Sequence, residues 1–220
     1  MKIKNVKGRQ VFDSRGNPTV EAEVFLDNDI SASAISPSGA STGAFEAHEL
    51  RDKDENIFLG KSVNKAIKNI NKNIASKLKG LDANNQKNID KVLLDLDGTE
   101  NKTNLGANAT LAVSLAISKC SALSNKKPLY KNLGNGLSLP IPLMNIINGG
   151  AHADNDLNIQ EFMIRPDSAK NFMDAIEKCY VVIQNLKKIM KSNKMLTNVG
   201  DEGGFAPSIN SNEAALELII

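Results

Sequence analysis

Apolar residues recur at every second position along residues 19–26, and this pattern constrains the fold more than any other feature. Val20, Ala22, Val24 and Leu26 form the apolar set. A period of two residues is typical of a strand with one buried face. Residues 27–29 favour a turn, and the alternation resumes over residues 30–34. We therefore predict an antiparallel hairpin, preceded by a strand around residues 6–12.

Helical periodicity follows the hairpin. An apolar stripe begins after Ser62 and stops at Gly80, which predicts a helix capped by Ser62. A shorter stripe that ends at Gly98 predicts a second helix. Residues 106–124 are apolar all round the helix and rich in alanine. This pattern predicts a buried helix that packs closely through small side chains.

The composition changes at residues 125–141, where Asn, Lys, Gly and Pro predominate, and this change predicts a domain boundary. Residues 143–148 and 159–164 are short apolar runs that fit buried strands ending in polar loops. Next comes a helical pattern for which Ser168 is the predicted cap. A glycine-rich loop at residues 200–207 separates it from the start of another helix.

The composition argues against several classes of protein. Lys and Arg total 27 against 25 Asp and Glu, a net charge of +2, and only four of the cations are Arg, so no nucleic-acid partner is expected. No apolar run reaches about 18 residues, and the N-terminus lacks a signal-peptide core, so no membrane span is expected. Cys120 and Cys179 lie in apolar helical patterns and are predicted to be reduced core residues of a cytosolic protein.

Three loops carry most of the residues capable of chemistry. The first, residues 36–43, is rich in Ser and Gly and can wrap an anion or offer an oxygen to a hard cation. The second contains His152, ends in Gln160 and Glu161, and follows a predicted strand, where the active-site loops of a parallel barrel lie. His152 can donate a hydrogen bond to an anionic ligand.

The third loop, residues 198–207, contains Asp201 and Glu202 among three glycines that permit close approach of a ligand to the backbone. A carboxylate near other carboxylates can act as a general acid. Taken singly, each loop also fits an ordinary surface turn, and His152 also fits a structural histidine. Together the loops indicate an α/β enzyme with oxygen ligands and paired acids that acts on a small anion.

Several short motifs accompany these loops: residues 8–9, 13–21, 95–99, 106–109 and 144–150. In this order they resemble the enolases, the phosphopyruvate hydratases of glycolysis, and residues 153–155 and 203–207 are similar to the bacterial branch. The resemblance covers the whole chain. It implies an α/β fold with an enolase N-terminal α+β domain, an antiparallel sheet plus helices, at residues 1–133. The first part of a TIM-like α/β barrel, incomplete here, is implied at residues 140–220.

The resemblance implies reversible dehydration of 2-phosphoglycerate to phosphoenolpyruvate with two Mg²⁺ ions per active site. Glu202 matches the proton donor that helps the hydroxyl leave as water. Gln160 and Glu161 match the substrate-binding pair, and Glu161 is implied to lie close to the leaving hydroxyl. His152 matches a further substrate-binding residue. Ser41 matches the serine that ligates the second Mg²⁺ from a mobile loop.

The resemblance also implies how the protein assembles and where it acts. Arg15 and Glu21 match the region of subunit contact, so a homodimer or a higher homo-oligomer is expected. The family is cytoplasmic, with a cell-surface or secreted pool in some bacterial members.

Part of the family's site has no counterpart in this sequence. The lysine base and the three carboxylates that hold the first Mg²⁺ are not matched. Residues 140–220 would supply about two of eight barrel strands, since such a barrel takes about 250 residues. Two interpretations therefore stay open: the N-terminal part of an enolase that is active only when complete, or an inactive fragment that serves as a dimerisation or binding module. An enolase-superfamily member with another substrate is a more distant third.

Overall fold

The computed structural model describes residues 1–39, 41–136, 138–200 and 202–220. Contacts divide the chain into two compact units, Met1–Gly136 and Leu137–Ile220, and each has its own hydrophobic core. Among the described residues, no helix is long and apolar enough to cross a membrane.

The first unit combines one sheet with a series of helices. Its elements are β1 (Ile3–Phe12), β2 (Pro18–Leu26), β3 (Ser31–Ser36), a 3-10 turn (Phe58–Gly60), α1 (Asn64–Lys68), a π-helical segment (Asn69–Ile74), α2 (Ala75–Leu78), α3 (Gln86–Asp97), α4 (Ala107–Ser124) and α5 (Leu129–Leu133). The sheet is antiparallel in the order β1–β2–β3. The predicted hairpin and the strand before it are confirmed.

The core of the first unit lies on the face of the sheet that the alternation predicts. Val20, Ala22, Val24 and Leu26 are fully buried there, together with residues from the helices such as Ile70, Ile74, Leu78, Val113 and Ile117.

The two cysteines, Cys120 in the first unit and Cys179 in the second, are buried and free, as predicted for core thiols. Burial raises the pKa of Cys120 to about 11 and also raises the pKa of Cys179, so both thiols stay protonated near neutral pH.

The helix predicted after Ser62 is present but not regular, because it changes from α1 to the π-helical segment and then to α2. Asn71 lies in the π-helical segment and pairs with Gly8 of the edge strand β1. The Gly8 N–H donates to Asn71 Oδ1 at 2.8 Å, and Asn71 Nδ2 donates to the Gly8 carbonyl at 3.1 Å. The amide therefore satisfies both backbone groups of Gly8, as a neighbouring strand would.

The cap predicted at Ser62 is wrong. Asp52 supplies the cap from a distant loop by accepting the N–H groups of Asn64 and Lys65, each at 2.8 Å. The Ser62 hydroxyl donates to the same carboxylate at 2.7 Å. Burial alone would raise the pKa of Asp52, but these hydrogen bonds outweigh it and hold the pKa below its ordinary value.

The second predicted helix, α3, is confirmed, and Gly98 ends it in a left-handed conformation. Its last residue, Asp97, is 2% exposed and organises the turn that follows. The Asp97 carboxylate accepts the Leu105 N–H at 2.7 Å and the Thr99 N–H at 3.1 Å. The motif at residues 95–99 therefore has a structural role in this unit.

The prediction that α4 is buried all round is wrong in part. Its small side chains face the sheet and are buried, among them Ala109, Ala112 and Ala116. Leu111, Leu115 and Leu123 are 50%, 40% and 56% exposed. The apolar content of α4 exceeds what one sheet face can cover, so the larger leucines remain outside.

The second unit contains β4 (Met144–Asn148), a 3-10 turn (Gly150–His152), β5 (Glu161–Ile164), α6 (Phe172–Ser192) and α7 (Asn212–Ile219). β4 and β5 pair antiparallel, whereas the loop prediction assumed parallel strands. The Gly149 N–H donates to the Gln160 carbonyl at 2.9 Å, so the two ends of the connecting loop lie together and β5 runs back along β4. The described residues form no closed barrel, which agrees with the predicted first part of one.

The cap predicted for α6 at Ser168 is also wrong. Asn171 immediately precedes α6, and its side-chain oxygen accepts the Asp174 N–H at 3.0 Å. Ser168 instead accepts hydrogen bonds from Lys178 Nζ through its carbonyl and hydroxyl oxygens. Asparagine is as good a helix cap as serine, so the position closer to the helix start prevails.

We predict that Asp52→Ala destabilises the first unit by about 1–2 kcal/mol near neutral pH, because two helix N–H groups and the Ser62 hydroxyl lose their acceptor. Since the pKa of Asp52 is lowered by folding, its contribution is present above the ordinary pKa and lost as the pH falls through the folded value. The variant and the wild type should therefore converge in acid. Urea unfolding at several pH values, monitored through hydrogen exchange of β2, measures the free energy of unfolding of the first unit.

The matched control is Asp27→Ala, which removes an exposed carboxylate from the β2–β3 turn. Equal losses from the two variants, or a loss for Asp52→Ala that does not shrink in acid, would contradict the cap assigned to Asp52.

Candidate active site

One end of the β4–β5 hairpin carries three of the five predicted site residues. β4 ends at Asn148, and β5 begins with Glu161, which lies opposite Asn148 in the antiparallel register. The loop between the strands is closed where the Gly149 N–H donates to the Gln160 carbonyl at 2.9 Å. His152 lies within this loop. The antiparallel pairing therefore places His152, Gln160 and Glu161 at one end of the hairpin.

His152 and Glu161 are neighbours across this loop. His152 Nδ1 lies 3.5 Å from Glu161 Oε1. His152 is 8% exposed, whereas one-third of the Glu161 side chain is exposed. Gln160, the residue before Glu161, is exposed. The structure therefore presents an acidic oxygen and an amide to solvent beside a largely buried imidazole.

The third predicted loop packs against β4. The Phe205 N–H donates to a β4 carbonyl at 2.9 Å, and the Asn148 N–H donates to the Phe205 carbonyl at 2.8 Å. Phe205 thus forms a parallel bridge with β4. The Gly200 N–H donates to the Gly204 carbonyl at 2.8 Å and closes the turn between them. Glu202 lies exposed in this turn.

Asn148 is a structural residue whose role sequence reasoning missed. It is fully buried, and its main-chain carbonyl accepts from Asn155 Nδ2 at 3.0 Å. Its side-chain Nδ2 donates to the Gly204 carbonyl at 3.3 Å, and its Oδ1 accepts from Asn145. Asn155 Nδ2 also donates to the Pro207 carbonyl at 3.1 Å. Both candidate loops are therefore tied to the end of β4. The sequence feature that could have indicated this role is an asparagine at the end of an apolar run.

Gly200 permits the close approach of the two loops. A Cβ added at Gly200 would collide with the amide nitrogen of Asn148 and lie 2.6 Å from the His152 carbonyl oxygen. Real side chains do not tolerate such contacts. The base of the Glu202 loop therefore lies against the His152 loop.

Ser41 belongs to the first unit, on the exposed loop that follows β3. Before Ser41, the Ser36 carbonyl accepts from the Thr19 hydroxyl at 2.5 Å. After Ser41, the Gly43 N–H donates to Glu46 Oε2 at 2.9 Å. The chain before Ser41 is therefore tied to β2, and a local hydrogen bond shapes the loop after Ser41.

The structure thus places four predicted site residues in the second unit, namely His152, Gln160, Glu161 and Glu202, and Ser41 in the first. Asp201, the other carboxylate of the third loop, lies outside the described residues.

Comparison with known proteins gives the family. Residues 3–133 match the enolase N-terminal domain, and residues 136–220 match the enolase C-terminal TIM barrel domain. The chain belongs to the enolase family. It is also 58% identical over 221 residues to "Enolase" of Pelagibacter ubique (strain HTCC1062), covering 100% of this chain and 53% of that protein. The chain spans about half the length of this curated relative.

Enolase-family membership raises the question of whether these residues fit Mg²⁺. Within the described ranges, no group of three or more His, Cys, Asp or Glu side chains could hold a metal ion together. Mg²⁺ requires near-octahedral oxygen coordination, and Ser41 offers a single hydroxyl. The described residues therefore do not fit a complete Mg²⁺ site by themselves.

We predict that Gly200→Ala loosens the enolase-family site by about 1–3 kcal/mol, because the added methyl group collides with Asn148 and His152. Hydrogen exchange of the 220-residue chain should show faster exchange at residues 144–148 and 198–206. Gly134→Ala is the matched control, since Gly134 has an extended backbone and an open position for a Cβ. Unchanged exchange at both segments in Gly200→Ala would contradict the packing described for the two loops.

Proposed function

We propose that this chain supplies the proton-donor half of an enolase active site, which interconverts 2-phosphoglycerate and phosphoenolpyruvate in glycolysis and gluconeogenesis. The observation that carries this proposal is the 3.5 Å approach of His152 to Glu161 at the end of β4, beside the loop that carries Glu202. Membership of the enolase family supports the choice of reaction.

We assign proton donation to Glu202. Hydroxide is a poor leaving group, so the departing oxygen must be protonated as its bond to carbon breaks. The Glu202 carboxylic acid gives its proton to that oxygen, which leaves as water. Glu202 suits this role because it is exposed in a short turn that the backbone hydrogen bonds of Phe205 hold against β4. Glu161 is assigned the second catalytic role, close to the leaving hydroxyl.

The hairpin end is assigned to substrate binding. The substrate carries a phosphate and a carboxylate, and both accept hydrogen bonds. His152 and the Gln160 amide can donate to such groups, whereas the Glu161 carboxylate accepts from the substrate hydroxyl. Because the Gly149 N–H donates to the Gln160 carbonyl, the backbone of Gln160 and Glu161 is fixed before substrate arrives.

The proposed enzyme uses two Mg²⁺ ions, whose chemistry is to stabilise negative charge on the reacting substrate. We assign one oxygen ligand of the second ion to Ser41. The lysine base and the main carboxylate ligands have no match in this chain, so they belong to the remaining half of the enzyme. We further propose a cytoplasmic homo-oligomer with Arg15 and Glu21 at the subunit contact.

The alternative is an inactive fragment that serves as a dimerisation or binding module. The incomplete set of metal-ligating side chains among the described residues favours this alternative. The two proposals differ in whether the candidate loops contribute to turnover once the other half of the enzyme is present.

We predict that Glu202→Gln lowers kcat by about 100-fold to 10,000-fold, because the glutamine amide cannot donate the required proton. The assay uses a complete enzyme made of residues 1–220 followed by the second half of the Pelagibacter relative. Formation of phosphoenolpyruvate and calorimetric Mg²⁺ binding are measured together, and Mg²⁺ binding should be retained. Glu217→Gln, an exposed position on α7, is the matched control. Near-normal turnover in Glu202→Gln would remove Glu202 from its role.

We predict that the purified 220-residue chain alone forms no phosphoenolpyruvate at any Mg²⁺ concentration, since the matched residues include no base. Addition of the separately purified second half of the relative tests whether the two halves complement each other. Mg²⁺-dependent turnover by the chain alone would overturn the assignment of a half site.

A further inference from the structure

The turn between β1 and β2 is built by Asp13. Asp13 Oδ1 accepts the N–H groups of Arg15 and Asn17, each at 2.9 Å. The Gly16 N–H donates to the Asp13 carbonyl at 3.0 Å, and Gly16 adopts a positive φ of 76°. Backbone groups and the Asp13 side chain make these bonds. The Arg15 guanidinium takes part in none of them.

The Arg15 guanidinium instead reaches the loop that carries Ser41. Arg15 Nη2 donates to the Ser38 carbonyl at 2.7 Å and to the Gly39 carbonyl at 3.0 Å. Asp13 Oδ2 lies 3.9 Å from the same nitrogen and adds a nearby opposite charge. A cationic donor to two adjacent carbonyls makes stronger hydrogen bonds than a neutral one.

A second arginine supports the same loop through Glu49. The Ser38 hydroxyl donates to Glu49 Oε2 at 2.8 Å, and Arg51 Nη2 donates to Glu49 Oε1 at 2.7 Å. Arg51 Nη1 donates to the Pro18 carbonyl at 3.0 Å. Pro18 begins β2, so both supports of the loop end on the same β1–β2 hairpin.

We propose that Arg15 is a positioning residue, which fixes the backbone at Ser38 and Gly39 and thereby the approach of Ser41 to its ligand. The consequence for Mg²⁺ rests on the proposed function, whereas the effect on the loop does not. A loop held in advance loses less conformational entropy when it binds, so its ligand binds more tightly. The Asp13–Asn17 turn accordingly places the Arg15 guanidinium against the Ser41 loop.

The first test measures NMR backbone order parameters of the 220-residue chain in the variants Arg15→Gln and Arg15→Lys. In Arg15→Gln, we expect the order parameters at residues 38–43 to fall by about 0.2 or more, since the charge-assisted hydrogen bonds to the Ser38 and Gly39 carbonyls are lost. Order parameters across the Asp13–Asn17 turn should stay unchanged, because its bonds survive. Arg15→Lys keeps a cationic donor and should restore part of the order. Arg165→Gln removes an exposed arginine from the second unit and is the control.

Unchanged order parameters at residues 38–43 in Arg15→Gln would overturn the proposal, and so would equal loosening of the loop and the turn. If Arg15→Gln changes the oligomeric state in sedimentation and leaves the loop unchanged, Arg15 serves the proposed subunit contact alone, and the positioning role is overturned.

The second test measures the consequence in the complete enzyme of residues 1–220 and the second half of the relative. Arg15→Gln should raise the Mg²⁺ concentration for half-maximal activity by about tenfold while kcat at saturating Mg²⁺ changes less. Lower order parameters at residues 38–43 with an unchanged Mg²⁺ requirement would uphold the positioning of the loop and reject the role proposed for Ser41. An unchanged loop with an altered requirement would reject the positioning role.

Discussion

Loops that contain catalytic or binding residues lie outside the regular hydrogen bonding of sheets and helices, so their backbone N–H and C=O groups need other partners. In this chain, carboxylates and amides supply them. Asn148 ties two loops to the end of β4, Asp13 closes the β1–β2 turn, and Asp97 holds the N–H of Leu105. A buried polar group left unbonded costs more than a completed bond gains, so these side chains permit one arrangement of the loops. The candidate catalytic side chains depend on that arrangement.

The regular elements of the fold could be predicted because their causes are local. The alternation along β2 and the glycine that ends α3 at Gly98 each act within a few residues. The helix caps could not be predicted with the same success, because the carboxylate of Asp52 reaches α1 from a separate loop. The exposure of Leu111 on α4 has a similar reason: composition shows that a helix is apolar, but only the packed sheet decides which side is covered.

The candidate site was predictable in its residue types and not in its geometry. His152 and Glu202 stood out as reactive groups in glycine-rich loops, and the structure confirms that both lie on loops beside one strand. Their neighbourhood depends on two nonlocal pairings. Asn148 lies opposite Glu161 because β4 and β5 run antiparallel, and Phe205 returns to β4 more than 50 residues later along the chain. No periodic pattern encodes either pairing.

The anchors described for each candidate loop lie in the same unit as the loop. Arg15 and Glu49 hold the Ser41 loop within the first unit, and β4 holds the Glu202 loop within the second. Positioning of the loops therefore does not require a closed barrel. Proton donation alone cannot complete the proposed reaction, because the substrate must also lose a proton to a base and its charge must be stabilised. The loops of this chain carry the residues proposed for the leaving-group step, and the proposed turnover also needs a base and charge stabilisation that no matched residue of this chain supplies.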